Sequence, residues 1–245
     1  YSFNSNRFYF ASEIKALFKH PNVNPKRCDK SLQQYLSFQF CLDDNTLFKG
    51  IRKIKPGHFF EGNGNKIISN NCYWNTSHKI NEKLTEDQFI EELKYLLNDS
   101  ANLQVRSDVP VGGYLSGGLD SSLVCALASK KINIPMPTFH GKFEESPSYD
   151  ESSYAKELVS SINGIFFEVS PSGEDFVSQL PNLIYSLDEP LAGPGLFPQY
   201  AVSKLAKEHV TVVLGGQGGD EIFGGYARYL IAYFEQALKG AIFET

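Results

Sequence analysis

No Cys-x-x-Cys pair occurs among Cys28, Cys41, Cys72 and Cys125, and no histidine stands at zinc-ligand spacing from them. A structural zinc site is therefore not expected, and reduced thiols in a cytosolic protein are the expected state. There is no excess of basic charge. The 23 Lys+Arg face 28 Asp+Glu, a net charge of −5, which argues against a module held on nucleic-acid phosphates. No run approaches the roughly 18 apolar residues of a membrane span. No apolar signal segment opens the chain, since Tyr1-Ser2-Phe3-Asn4-Ser5-Asn6-Arg7 is polar. Disorder is disfavoured by an apolar share of 42% and an aromatic share of 13%. No internal repeat is found. A length of 245 residues allows one to two domains of about 150 residues each. The chain opens on Tyr rather than Met and stops at Ala241-Ile242-Phe243-Glu244-Thr245 without a solvated tail, so it reads as a piece of a longer protein.

What is present divides into two patterns. The first third is β-rich. Arg7–Ala11 suggests a strand, and Ser12 to Leu17 turns toward a helix that Ser12 could cap. Leu32, Tyr35 and Leu36 place a helix over Lys30–Phe38. Phe59-Phe60 and Lys66-Ile67-Ile68 flank an Asn-Gly turn, a strong hairpin signal. The period then changes. Thr85-Glu86-Asp87-Gln88 reads as a capping box, and Phe89, Leu93, Leu96, Leu97 and Leu103 trace one helix face.

From there, strands and helices alternate. Strands are expected at Val109–Leu115, Met136–Phe143, Ile165–Val169 and Val210–Leu214, the last apolar enough for burial on both faces. Helices are expected at Ser121–Lys131, Glu151–Asn163 (stopped by Gly164), Asp175–Leu187 (with a break allowed at Pro181) and Tyr200–His209. The Pro- and Gly-rich stretch Asp188–Gln199 reads as an irregular loop. Strand-helix alternation means a parallel sheet wound with helices, an α/β fold that binds ligands at the carboxyl ends of its strands.

Two segments carry chemistry. Leu115-Ser116-Gly117-Gly118-Leu119-Asp120-Ser121-Ser122 joins a strand to a helix. Paired glycines let backbone N–H groups point into one concavity. Ser116, Ser121 and Ser122 add hydroxyls, and a helix N-terminus follows; together these suit a phosphate. A carboxylate at Asp120 repels phosphate unless it holds a Mg²⁺ between them. The bland alternative is a plain turn with Asp as a cap. The second segment, Leu214-Gly215-Gly216-Gln217-Gly218-Gly219-Asp220-Glu221-Ile222-Phe223-Gly224-Gly225, follows another strand. Its glycines cost backbone entropy unless something approaches closely. If the two strands are neighbours, Asp120 and Asp220 can share one metal. The alternative there is a flexible loop with a solvated acidic pair.

S-G-G-L-D-S-S resembles the pyrophosphate loop of the N-type ATP pyrophosphatases. Combined with L-G-G-Q-G-G-D-E-I-F-G-G-Y it is similar to the synthetase domain of glutamine-hydrolysing asparagine synthases. Phe10–Leu17, Thr46–Ile51, Pro56-Gly57-His58, Tyr73-Trp74, Tyr149-Asp150-Glu151 and Asp188-Glu189-Pro190 extend the resemblance over nearly the whole chain. It implies a doubly wound, Rossmann-like ATP-pyrophosphatase domain over residues 81–245. Before it would lie residues 1–80, the end of an N-terminal nucleophile glutaminase domain and an interdomain segment. The implied reaction activates the aspartate side chain with ATP as an acyl-adenylate, releases pyrophosphate, and amidates it with ammonia from glutamine.

By the same resemblance Ser116, Gly117, Gly118, Asp120 and Ser121 hold the pyrophosphate, with Gly216 beside them. Leu115 and the strand Phe139–Gly141 meet the adenine. Asp120 and Asp220 hold Mg²⁺, and Gln217 and Asp220 act in catalysis. The position of Gln217 is usually acidic in asparagine-forming members, and Gln cannot be a base. That opens a second acceptor class, such as a sugar acid in polysaccharide biosynthesis; a non-catalytic nucleotide-binding relative is the other alternative. The family's glutaminase cysteine and catalytic lysine are expected outside this chain. His20, His58, His78, His140 and His209 show no ligand or triad spacing and read as structural or exposed. Expected partners are small-molecule substrates and a homodimer, with no nucleic acid and no membrane, in the cytoplasm.

Overall fold

The computed structural model of the chain describes residues 1–4, 7–63, 66–77, 83–142, 150–191, 193 and 195–243. His78, Phe143, Tyr149 and the Gly64-Asn65 turn expected from the sequence lie outside them. Two compact units emerge: Tyr1–Glu82 with Glu174–Phe197, and Lys83–Gly173 with Pro198–Thr245.

Small antiparallel pieces make up the sheet structure of the first unit. β1 (Ser2–Asn4) pairs with β2 (Arg7–Tyr9). Then come the short helix α1 (Ile14–Leu17) and the longer α2 (Asp29–Phe38). β3 (His58–Asn63) pairs with β4 (Lys66–Cys72), with a shift of register between Glu61 and Gly62. The core of this unit is Leu17, Val23 and Ile51, packed on by Tyr9, Ile14, Phe18 and Phe48. Ser12 does not cap α1. The backbone N–H groups of Ile14 and Lys15 instead donate to the Asp188 carboxylate at 2.6 and 3.0 Å. A charged carboxylate from a distant segment thus takes the role a local hydroxyl was expected to fill.

In the second unit, α3 (Glu86–Gln104) opens with the expected capping box: the Gln88 N–H donates to Thr85 Oγ1, and the Thr85 N–H to Gln88 Oε1. Its expected apolar face is not buried, for Phe89, Leu96 and Leu103 are about half exposed. The helix packs along the narrower row Leu93, Leu97 and Ala101, one residue per turn.

Alternation then proceeds through β5 (Val111–Tyr114), α4 (Leu119–Ser129), β6 (Pro137–Gly141), α5 (Ser152–Ser161) and β7 (Ile165–Val169). The left-handed stop after α5 is Asn163, at φ 51°, rather than Gly164; asparagine tolerates this region. α6 (Gly173–Leu187) runs unbroken through Pro181. α7 (Leu196–Lys207) starts inside the stretch expected as loop, and β8 (Val212–Leu214), α8 (Gly219–Phe223) and α9 (Ala227–Phe243) follow. No helix among the described residues is long and apolar enough to cross a membrane.

β5 to β8 form one parallel sheet in the order β7-β6-β5-β8. One apolar layer joins Val111, Leu115, Met136 and Leu214 to α4 and α5 through Cys125, Ala128, Ala155 and Val159. The other joins Phe139 to α7 through Val202 and Ala206. The sheet is therefore covered on both faces, as a parallel sheet must be. β8 ends the described sheet and is only half buried at Val212 and Val213. Leu115, Met136 and Phe139 are each 1% exposed; burying side chains of this size stabilises by about 1.5–3 kcal/mol apiece.

Candidate functional site

The strand order contains a switch. From β5 the chain moves outward to β6 and β7, then returns to place β8 on the other side of β5. Such a switch point, at the carboxyl ends of the two strands, is where open parallel sheets bind their ligands. Both glycine-rich segments leave from those ends. The strands pair Val111 with Val212, Gly112 with Val213 and Gly113 with Leu214, so the segments start side by side.

After β5 the chain turns at Ser116-Gly117-Gly118 into α4. Gly117 adopts φ +101°, and a Cβ there would stand 2.7 Å from the Glu151 carbonyl oxygen, so only glycine fits. Ser121 Oγ accepts from the Ser116 N–H at 3.2 Å, lies 2.9 Å from Ser116 Oγ and donates to the Gly118 carbonyl at 3.2 Å. Ser116 Oγ accepts from the Gly118 N–H at 3.2 Å. These short-range bonds hold the turn open. Gly118 is the N-cap and has no side chain to offer, so first-turn N–H groups of α4 lack intrahelical acceptors. The helix begins two residues before its sequence-expected start, which puts Asp120 in that first turn, where the dipole favours a carboxylate.

The loop after β8 lies directly against this turn. A Cβ on Gly216 would stand 2.6 Å from Ser121 N and 2.9 Å from Asp120 Cβ. A Cβ on Gly219 would stand 2.9 Å from Asp120 Oδ1, with Oδ2 closer still. Bare glycines are what allow the two backbones to meet. Asp220 follows in the first turn of α8, and Gly225 folds over it, its N–H donating to the Asp220 carbonyl at 3.0 Å. Neither the Asp120 nor the Asp220 carboxylate takes a hydrogen bond or ion pair among the described residues. Glu221 does. Hydrogen bonds from its own backbone N–H and from the Tyr226 hydroxyl, the latter at 2.9 Å, hold its carboxyl below the usual range.

The sequence-expected residues therefore divide. Ser116, Gly117, Gly118, Asp120, Ser121 and Gly216 come together. Gln217, one residue beyond Gly216, is exposed, and Asp220, one residue beyond Gly219, is half-buried. Gly141 ends β6, next to β5. The Leu115 side chain is in the core, and its backbone N–H donates to the Phe139 carbonyl at 2.9 Å.

Of the two readings the sequence allowed for His140, structural or exposed, it takes the structural one. It is 2% exposed, and its Nδ1–H donates to the Leu115 carbonyl at 2.8 Å, immediately before the serine-glycine turn; its Nε2 has no partner among the described residues. A lone histidine carries no sequence signal for this. Asp188 and Glu189 belong to the first unit. Beyond the α1 cap, Lys15 Nζ reaches Asp188 at 3.0 Å, and Glu189 accepts from the Leu47 N–H and pairs with Lys53, each at 2.5 Å. Among the described residues no cluster of three or more His, Cys, Asp or Glu is arranged to hold a metal.

The asparagine synthase family matches residues 92–242. The chain belongs to that family. A glutamine amidotransferase domain matches residues 1–74. The family's relatives include the glutamine-hydrolyzing asparagine synthetase 1 of Bacillus subtilis (strain 168), 39% identical over 228 residues, covering 92% of this chain and 35% of that protein. The glutamine-hydrolyzing asparagine synthetase 3 of the same organism is 30% identical over 245 residues, covering 92% of this chain and 39% of that protein. The chain thus spans little more than a third of these relatives. Among solved structures, an NH3-dependent NAD synthetase from Campylobacter jejuni overlaps 56% of this chain and 60% of that one at 19% identity. The TM-score is 0.39.

Proposed function

We propose that the intact protein is an ATP-dependent amide ligase of the asparagine synthase type. It activates the aspartate side-chain carboxylate and amidates it with ammonia drawn from glutamine, in the cytoplasm. The observation that carries this reading is the meeting of the two glycine loops at Asp120, at a switch point of a parallel sheet. Family membership supports the same reading.

Each residue then has a task. The Gly117 backbone N–H and those at the start of α4 bind the pyrophosphate portion of ATP, with the Ser116 and Ser121 hydroxyls beside them. Fixed dipoles of this kind need no reorganisation as charge moves onto the leaving group. Leu115 and Gly141 frame the adenine side. The aspartate carboxylate oxygen bonds to the α-phosphorus, and the bond to the β-phosphate oxygen breaks, releasing pyrophosphate. Ammonia then attacks the acyl carbon and AMP departs.

Asp120 and Asp220 suit a Mg²⁺. They supply hard oxygen donors, they are unengaged by other side chains among the described residues, and they stand at adjoining loops. Magnesium commonly takes one or two carboxylates and completes its shell with water and substrate phosphate. When bound, it would neutralise phosphate charge.

The test is pyrophosphate release from ATP by the intact protein with aspartate and ammonium chloride. AMP and pyrophosphate in equal amounts are expected. If neither forms with any carboxylate offered, the proposal is wrong. Gln217, where asparagine-forming relatives are usually acidic, favours one second reading: another carboxylate acceptor, such as a sugar acid. An acceptor screen by the same assay separates the two.

A further inference from the structure

Gln217 sits between the glycines that pack on Asp120, yet its side chain runs to α7. Its Nε2–H donates to Gln199 Oε1 at 3.2 Å. Gln199 is itself held. The Ser203 hydroxyl, one turn on, donates to the Gln199 carbonyl at 2.5 Å and lies 2.8 Å from the Tyr114 hydroxyl. A hydroxyl has one proton to give, so Tyr114 must be the donor in the second bond. A relay therefore runs from Tyr114, the last residue of β5, through Ser203 to the backbone that carries Gln199. The Gln217 Oε1 lies beside Gly215, 2.3 Å from where a Cβ there would stand, so a side chain at 215 would displace it.

We propose that Gln199 is a positioning residue for the amidation step. By accepting the Gln217 Nε2–H it sets the carboxamide so that Gln217 Oε1 is a fixed acceptor for an N–H of the attacking ammonia. This rests on the adenylation reading above and adds to it the device that orients the nucleophile. Ammonia's lone pair forms the C–N bond at the acyl carbon. The C–O bond to AMP breaks, its electron pair leaves with AMP, and the surplus ammonium proton passes to water. Gln217 accepts a hydrogen bond and no proton, as an amide must. Orientation of this kind acts on capture of ammonia and not on the earlier release of pyrophosphate.

The experiment compares Gln199→Leu, Gln199→Glu and Gly215→Ala in the intact protein with aspartate, ATP, Mg²⁺ and ammonium chloride. Aspartate-dependent ATP–pyrophosphate exchange reads adenylation alone. KM for ammonia and the AMP formed per asparagine read the second step. Gln199→Leu is expected to keep exchange near the parental rate, raise the ammonia KM about tenfold, the size of one lost hydrogen bond, and waste more AMP through hydrolysis of the intermediate. Gln199→Glu, which keeps the acceptor, is expected to restore both readouts. Gly215→Ala is expected to reproduce the leucine variant. Parental ammonia KM and coupling in Gln199→Leu, or equal impairment in Gln199→Glu, would overturn the proposal. Absence of exchange in the parent would instead sink the adenylation reading, and this inference with it.

Discussion

A single methyl group at Gly219 probes the meeting of the two loops most directly. Alanine there would bring Cβ to 2.9 Å from Asp120 Oδ1 and nearer to Cγ and Oδ2, so the Asp120 side chain has to move. Leaving its rotamer costs about 0.5–1.5 kcal/mol. Gly219 begins α8 and its φ lies outside the left-handed region, so alanine recovers about 0.4–1 kcal/mol from the unfolded chain. The two nearly cancel, and the net change stays within about 1 kcal/mol, or about 4 °C in Tm. Activity has no such compensation. A carboxylate displaced by about 1 Å is expected to lower pyrophosphate release about 100-fold. Gly218→Ala is the matched control. Gly218 has φ +95° and open space around it, so alanine strains the backbone by about 1–2 kcal/mol without touching Asp120. Thermal melts and pyrophosphate release on both variants should therefore rank them in opposite orders. Parental release in Gly219→Ala, or greater loss of activity in Gly218→Ala, would refute the convergence of the loops on Asp120.

Three further outcomes are expected. Asp188→Ala removes the acceptor for two backbone N–H groups of α1 and should destabilise the first unit by about 2 kcal/mol, seen as a lower urea midpoint; an unchanged midpoint would show that cap to be dispensable. Thr85→Ala should cost about 1 kcal/mol through loss of the α3 capping box, measured in the same way. Burial pushes the Cys125 thiol up to about 12, from an ordinary 9.0. At about pH 8 it stays protonated, so iodoacetamide should spare it in the native protein and alkylate the exposed Cys72, and peptide mass spectrometry reads the difference. Because the folded pKa is raised, the associated stability is whole below about 9.0 and is lost as pH climbs toward about 12.

Much of the second unit was legible because its cues are local. Thr85 and Gln88 announce a helix start within four residues. The β-branched and aromatic runs at 165–169 and 212–214 announce strands, and the paired glycines announce strand-to-helix turns. Where local cues erred, a distant group had intervened. Ser12 was the nearest hydroxyl to α1, but Asp188 brings one carboxylate oxygen to each of two N–H groups and displaces it. Phe89, Leu96 and Leu103 have helical spacing, but spacing says nothing of how wide a face a neighbour covers.

The sequence by itself thus determined the class of fold, the two loops and the residue types that could meet a magnesium-nucleotide, since each depends on backbone freedom and periodicity over a few neighbours. Tertiary structure alone decided that β8 returns to lie beside β5 across about a hundred residues, that Gly216 and Gly219 bring their loop onto Asp120, that His140 bonds the Leu115 carbonyl, and that Gln199 reaches Gln217. Those are pairings between distant segments. They are settled by which apolar faces the sheet must cover and by which carbonyls and amides are left to satisfy one another once it is covered.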